Sequence, residues 1–371
     1  MSISTLSLVV FVAVFALVVF IHEFGHFVVS RLLGVEVEEF GFGLPPRILT
    51  MFHWKGTDFT LNWLPLGGFV RPKGENDPNV ARGLAAANPW TRLAVLFAGP
   101  TMNLALGVVV FALLFFNIGV PDYNQVQIGA VLPSSPAAQA GIQVDDIVVA
   151  VNGVRVTNAA QLHDIIYANL DQPVQMTLRR GGQTVTVTAV PSSSRPADQG
   201  AVGITMGPAL VMPGSPLQSL QYGAIAVYSQ TRALILLPAQ ILRGQLAPQE
   251  GRLVGLKGIY DLFGQAVSRD IQSREAPAAP SGAASRQTPT YFTLQLIGIL
   301  TISLGVLNLF PFPALDGGRI LFVLPELVLR RRIPAEWENR INAVGMALLL
   351  ALMIYVNVMD FVNPANVVLP K

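Results

Sequence analysis

His22, Glu23 and His26 are the residues of this chain best placed by type and spacing to do chemistry. Two histidines four positions apart on a helix project from one face and can reach the same zinc ion. A glutamate directly after the first can sit beside a water bound to that ion. The three interrupt an uncharged run that covers residues 6–21 and resumes over 27–29, a pattern that reads as a membrane span. Ionisable side chains inside such a helix are costly and usually functional. The sequence contains no cysteine. Disulfides and thiolate ligands are therefore excluded, and a metal must be held by His, Asp or Glu.

A catalytic zinc site usually takes three protein ligands and leaves the fourth position to water. The candidate third ligand is Asp316, in the stretch Asn308-Leu309-Phe310-Pro311-Phe312-Pro313-Ala314-Leu315-Asp316-Gly317-Gly318. Pro311 and Pro313 prevent a regular helix there, and the two glycines admit close backbone approach. Asp316 is thus expected on an opened segment, with Asn308 placed to hydrogen-bond a substrate or intermediate. His53 and His163 read as loop and surface residues and are assigned no role.

The elements that must position these residues are membrane helices. Of 371 residues 52% are hydrophobic and only 12% charged, which is outside the range of soluble domains and makes the lipid bilayer a partner. A net charge of +2 gives no reason to expect nucleic-acid binding. Four uncharged runs approach or exceed the roughly 20 residues needed to cross a bilayer. They are 6–21 extended through the histidines, 93–120, 291–312 and 341–358. The first lacks a basic leader and a small-residue cleavage site, so it is expected to be a retained span rather than a signal peptide. No Lys or Arg precedes Arg31, whereas seven lie from Arg31 to Arg92, and Arg330, Arg331, Arg332 and Arg340 cluster after the third run. By the positive-inside rule these segments are cytoplasmic, and His22, His26 and Asp316 meet at the cytoplasmic side.

The fold class expected is a polytopic α-helical membrane protein of about four spans, with a membrane-associated β-rich loop and an inserted extracytoplasmic α+β domain. In order, the expected parts are a first span at 1–33, a cytoplasmic β-loop at 34–90, a second span at 91–120 and an inserted domain at 122–208. Amphipathic surface helices at 215–270, a flexible linker at 271–290, a third span at 291–318, a cytoplasmic loop at 319–340 and a fourth span at 341–363 complete the chain. The β-loop carries Gly43, Gly68 and Phe69 among aromatics and glycines that suggest short strands. It can dip into the membrane or lie on its surface. A strand edge there can hold an extended peptide, and with Pro311 these residues are candidate substrate contacts.

In the inserted domain, strands are expected at 126–132, 147–151, 174–178 and 184–190. A helix is expected at 159–170 with Asn158 as its N-cap, and a hairpin turn at Gly181-Gly182. Ser135-Pro136-Ala137-Ala138-Gln139-Ala140-Gly141-Ile142-Gln143-Val144-Asp145-Asp146-Ile147, followed by Val151-Asn152-Gly153, resembles a PDZ domain of bacterial membrane and periplasmic proteases. Such a domain docks a peptide C-terminus or acts as a steric gate, and the sequence is compatible with both. The run 217–242 is long and mostly apolar but interrupted by Gln218, Gln221, Gln230, Arg232 and Pro238. It is expected on the outer surface as a helix or helix pair, because a crossing would put Asp316 on the opposite face from His22. Residues 275–290, rich in Ala, Pro and Ser, read as the linker.

Taken together, the histidine motif, the Asn308–Gly318 motif, Phe97-Ala98-Gly99-Pro100-Thr101-Met102-Asn103 and the PDZ-like stretch resemble the site-2 protease family of intramembrane zinc metalloproteases. The match is to the bacterial branch typified by the regulator-of-sigma-E protease and covers nearly the whole chain. The resemblance implies Zn2+ held by His22, His26 and Asp316, Glu23 as catalytic base and Asn308 in substrate handling. It also implies a single-span membrane protein as substrate, such as an anti-sigma factor or a remnant signal peptide, already trimmed outside the cell membrane. The chain departs from the best-known members in having room for one PDZ domain rather than two. The competing class is a non-catalytic membrane scaffold or metal-binding regulator, which has no need of Glu23. The topology is testable because the chain lacks cysteine: one introduced between 275 and 290 should react with an impermeant thiol reagent added outside the cell. Labelling only from the cytoplasm would refute the assignment.

Overall fold

The computed structural model describes residues 2–194, 199–213, 215–245, 253–275 and 290–363. In chain order the elements are α1 (Ile3–Leu32), β1 (Val37–Trp54), β2 (Thr57–Pro72), α2 (Pro89–Ile118), β3 (Val120–Val131), α3 (Pro136–Gln139), β4 (Ile147–Val151), β5 (Val154–Arg155) and α4 (Ala159–Tyr167). They continue as β6 (Val174–Arg180), β7 (Gln183–Ala189), β8 (Ile204–Val211), α5 (Pro216–Leu242), α6 (Leu256–Glu275), α7 (Phe292–Asn308), α8 (Asp316–Leu329) and α9 (Ala335–Val362). Two compact units result, one built around Met1–Leu113, Leu220–Gln272 and Thr290–Lys371, the other around Leu114–Ser219.

In the first unit α1 and α2, of 30 residues each, are almost unbroken apolar runs. Four described helices are long and apolar enough to cross a membrane: α1, α2, α5 and α9. Three of them, α1, α2 and α9, coincide with runs expected from the sequence, and α5 stands in the set where 291–312 was expected. Helix α7 has 17 residues, about 25 Å at 1.5 Å per residue, because the backbone opens after Asn308 ahead of Pro311. Residues 216–242 form one continuous helix through Pro238, the single-helix form of the two expected, and Gly223 on it packs directly on the α2 backbone at Val108 and Ala112. The segment from 319, expected as loop, is largely helix α8, which begins at Asp316 and buries Ile320 and Val323. Helix α6 extends to Glu275, into the segment expected as linker, and residues 276–289 of that segment lie outside the described residues.

Strands β1 and β2 each bend, so that four runs lie side by side in the order 68–72, 37–44, 57–64 and 47–54. Gly41 is paired with Phe69 on one side and Thr60 on the other. Glu39, buried, ties its own run to the other three: it takes Arg47 at 2.7 Å, Arg71 at 3.0 Å and the Thr60 hydroxyl at 2.8 Å. Phe27 of α1 packs edge-on against Phe40 and Phe59 at 5.4 and 5.7 Å, which seats the sheet on α1 just beyond the histidines. In runs 47–54 and 57–64 Ile48, Phe52, Trp54 and Trp63 are exposed.

Helix α6 is tied at both ends. Asp360 of α9 accepts the Gly255 and Gly258 amides at 2.8 and 3.0 Å, satisfying donors at the start of α6. Asp270, near the end of α6, accepts the Phe292 and Thr293 amides, both at 2.9 Å, at the start of α7. Between them Phe263 and Tyr260 pack on Phe11 of α1.

The second unit is a sheet in the order β7-β6-β4-β3-β8 with antiparallel neighbours, and β5 pairs with β4. The expected strands and helix form, and the Asn158 side chain caps α4 through the Gln161 amide at 2.8 Å. Val126, Ile128, Leu162, Met176 and Leu178 are among its fully buried core. Fully buried Asp146 is held in bidentate fashion by Arg180, both contacts 2.7 Å, and accepts the Gln143 amide at 2.8 Å. Arg180→Ala leaves a buried carboxylate without its countercharge, at a cost of about 3–5 kcal/mol. Faster amide hydrogen exchange in Ile147–Val151 and Val174–Arg180 of the full chain is the expected result.

Candidate active site

Helix α1 turns both histidines toward α2, where both are buried. A row at four-residue spacing on α2 receives them. The Val95 carbonyl lies 2.8 Å from His26 Nδ1, Gly99 lies under the His26 ring, and the Asn103 side chain stands 3.3 Å from His22 Nδ1. A Cβ at position 99 would come within 2.3 Å of His26 Nε2, so the ring fits only against glycine.

Asp316 arrives from the other end of the sequence. After Asn308 the chain turns through Ala314, whose φ of 74° is left-handed and whose N–H is held by Asn342 Oδ1 of α9 at 3.2 Å. Side chains at 317 or 318 would strike the Leu309 and Phe312 carbonyls at 2.3 and 2.2 Å, which accounts for the two glycines. Asp316 is the first residue of α8 and its Oδ2 lies 3.1 Å from His22 Nε2 and 3.4 Å from His26 Nε2. The two Nε2 atoms are 3.2 Å apart.

A carbonyl can only accept, so His26 carries its proton on Nδ1 and presents a lone pair at Nε2. Asp316 Oδ2 is buried with no hydrogen-bond partner among the described residues. His22 Nε2, His26 Nε2 and Asp316 Oδ2 converge here as a His-His-Asp donor set of the kind that can hold a metal ion. Zinc with bonds of about 2.0–2.1 Å gives tetrahedral ligand–ligand edges of about 3.3–3.4 Å. The separations of 3.1, 3.2 and 3.4 Å match those edges, so these residues fit the ion.

Glu23 lies in the same cleft, of about 260 Å3, together with Phe69, Val70 and Asn308. Its Oε2 accepts the Val70 amide at 3.0 Å, from the free edge of run 68–72. Across the mouth Arg319, one turn beyond Asp316, pairs with Glu75, which follows that edge. Of the expected substrate contacts, Phe69 and Asn308 line the cleft, and Gly68 lies beside it in the same edge run. Gly43 instead lines a separate groove along α1 with Ala13, Ala16, Leu17, Phe20 and Asn62. Pro311 is an exposed part of the turn and does not line the cleft. Val95, Gly99, Val70, Glu75 and Arg319 were not among the expected site residues. The Phe97–Asn103 stretch was the only sequence signal pointing to part of this wall.

A model of peptidase family M50 matches residues 10–352. The chain belongs to that family, the site-2 proteases, and is a metalloprotease of membrane-helical type. It is 30% identical over 352 residues to a Clostridium perfringens protein named as a zinc metalloprotease, covering 94% of this chain and 97% of the relative. It is 27% identical over 436 residues to zinc metalloprotease RasP of Oceanobacillus iheyensis, covering 94% and 97%. With metalloprotease MmpA of Caulobacter vibrioides the identity is 26% over 373 residues, covering 92% of each chain.

The α2 wall is directly testable. Gly99→Ala should displace the His26 ring and lower zinc retention about tenfold or more. Metal analysis of purified protein after mild chelation measures it, and unchanged zinc would show that the ring does not depend on this contact.

Proposed function

We propose that the protein is an intramembrane zinc endoprotease in which His22, His26 and Asp316 hold the ion and Glu23 is the catalytic base. The observation that carries this reading is the set of tetrahedral edges between those three ligand atoms, with a carboxylate and a free strand edge in the same cleft. Zinc held by His22, His26 and Asp316 would supply Lewis acidity toward the scissile carbonyl and would lower the pKa of a water toward about 7.

The residues of the chain supply the rest. The Val70 amide holds one oxygen of Glu23 and so aims the carboxylate into the cleft. Glu23 takes a proton as water adds to the peptide carbon, then returns it to the leaving amine as the C–N bond breaks. Asn308 donates a hydrogen bond to the substrate or to the oxygen that gains charge. A transmembrane substrate hides its peptide bonds in a helix and must be drawn out locally. Run 68–72, with Gly68 and Phe69, provides an edge along which an extended segment can pair. Gly43, in the groove along α1, contacts flanking residues of the substrate, and Pro311 keeps the Asp316 turn open.

The substrate class we assign is a single-span membrane protein, such as an anti-sigma factor or a remnant signal peptide, after trimming outside the cytoplasm. We place the protein in the bacterial inner membrane, with the site toward the cytoplasm and Leu114–Ser219 outside it. Supporting this arrangement, the start of α7, the end of α9 and Phe11 of α1 all meet the one helix α6. We read the second unit as a single PDZ domain that binds a peptide C-terminus or gates access by bulk. A scaffold that keeps the ligands without cutting would have no use for Glu23.

Glu23→Gln decides between catalyst and scaffold. It should keep zinc at the wild-type level and lose cleavage of a single-span model substrate by about 10²–10⁴-fold in detergent. Equal cleavage by the two proteins would overturn the mechanism.

A further inference from the structure

Both ligand histidines have a second ring nitrogen whose partner decides which tautomer the ring adopts. For His26 that partner is the Val95 carbonyl, which fixes the proton on Nδ1 and frees Nε2. His22 has no backbone partner of this kind. Its Nδ1 faces the side-chain amide of Asn103 at 3.3 Å, and Asn103 is fully buried. Asn103 Nδ2 is the atom toward the ring, while its Oδ1, also buried, has no hydrogen-bond partner among the described residues.

An amide serves either tautomer. With Nδ2 toward the ring, it donates to Nδ1 and leaves the His22 proton on Nε2. A half-turn about the side chain puts Oδ1 there instead, and Oδ1 accepts a proton from Nδ1. Only the second form presents an Nε2 lone pair, and only a lone pair can be a metal ligand. The unpartnered Oδ1 gains its donor in that same half-turn.

Building on the zinc reading above, we propose that Asn103 is the positioning residue of the metal site: its amide rotates to accept the His22 Nδ1 proton and so commits His22 Nε2 to the ion. The placement on α2 fits this assignment. Val95, Gly99 and Asn103 repeat every four residues, as His22 and His26 do, so one helix orients both ligands of the other. Helix α7 closes the far side, where a Cβ at Gly305 would lie 3.2 Å from Asn103 Cβ, and holds the side chain in place.

The test is zinc affinity itself, measured on the purified full chain by competition with a chromophoric chelator. Asn103→Leu keeps approximate size and removes the acceptor, and Asn103→Ala removes it without added bulk. Each should raise the zinc dissociation constant about 10–100-fold. Asn103→Asp can only accept, favours the Nδ1–H tautomer and should bind zinc as tightly as wild type or more so. A purely structural role would penalise Asp, which buries a charge, at least as much as Ala. Unchanged affinity in both Leu and Ala, or an Asp variant as weak as Ala, overturns the proposal. Should Leu fail to fold, the contrast between Ala and Asp decides alone. Failure of the wild type and Glu23→Gln to bind zinc would overturn the zinc reading itself, an outcome distinct from weakening in the Asn103 variants.

Discussion

The structure depends on bringing three acceptor atoms within 4.8 Å of one another inside an apolar helix bundle. Unpaired polar atoms in such surroundings cost several kcal/mol each, and they repel when lone pairs face lone pairs. A cation held between them, as proposed, relieves that cost, and a tightly packed backbone keeps the ligands from drifting apart. That packing is visible where only a glycine leaves room for its neighbour. Gly99 meets the His26 ring, and Gly317 meets the Leu309 and Phe310 carbonyls.

The Glu23 carboxylate is governed by a different part of the fold. Glu23 follows His22 on α1 and so points away from the ligand face, toward the sheet. The sheet is therefore a requirement of the site: run 68–72 supplies the Val70 amide that steadies Glu23. Its position follows from Phe27 packing on Phe40 and Phe59, one turn beyond His22 and Glu23 on the same helix. The buried Glu39 with Arg47 and Arg71 keeps the bent strands in register, since a slip would strand that charge.

Much of the site was legible because it is written in local spacing. The four-residue interval of His22 and His26 is a helical repeat, and Pro311, Pro313, Gly317 and Gly318 describe a broken backbone before any fold is known. The second unit was equally plain, since its strands alternate and Asn158 announces its helix. What could not be read is what depends on tertiary neighbours. Composition favours residues 291–312 as a span over 216–242, yet α7 is cut short at Asn308 while α5 runs unbroken through Pro238. Gly43 and Pro311 belong to recognisable turn chemistry, but only the fold separates a turn that shapes a cleft from one that lines it. The outer partners of the histidines, Val95 and Asn103, lie about 70–80 residues from them, with no local pattern linking the two helices.

The shortness of α7 follows from the opening of its backbone after Asn308, ahead of Pro311. The irregular backbone between Asn308 and Asp316 delivers the Asp316 carboxylate beside His22 and His26. Irregular backbone is stable at that depth only where protein or a water-filled cavity covers it. The helix therefore stops at Asn308, and α8 begins at Asp316, whose negative charge suits a helix N-terminus. The loss of length at one end places a demand on the other. A helix of 17 residues holds its position only if its first turn is anchored, and Asp270 of α6 does this through the Phe292 and Thr293 amides. Helix α6 is fixed in turn by Asp360 of α9. The depth at which Asp316 reaches His22 and His26 is thus set from the far end of α7, by two carboxylates that take no part in the chemistry.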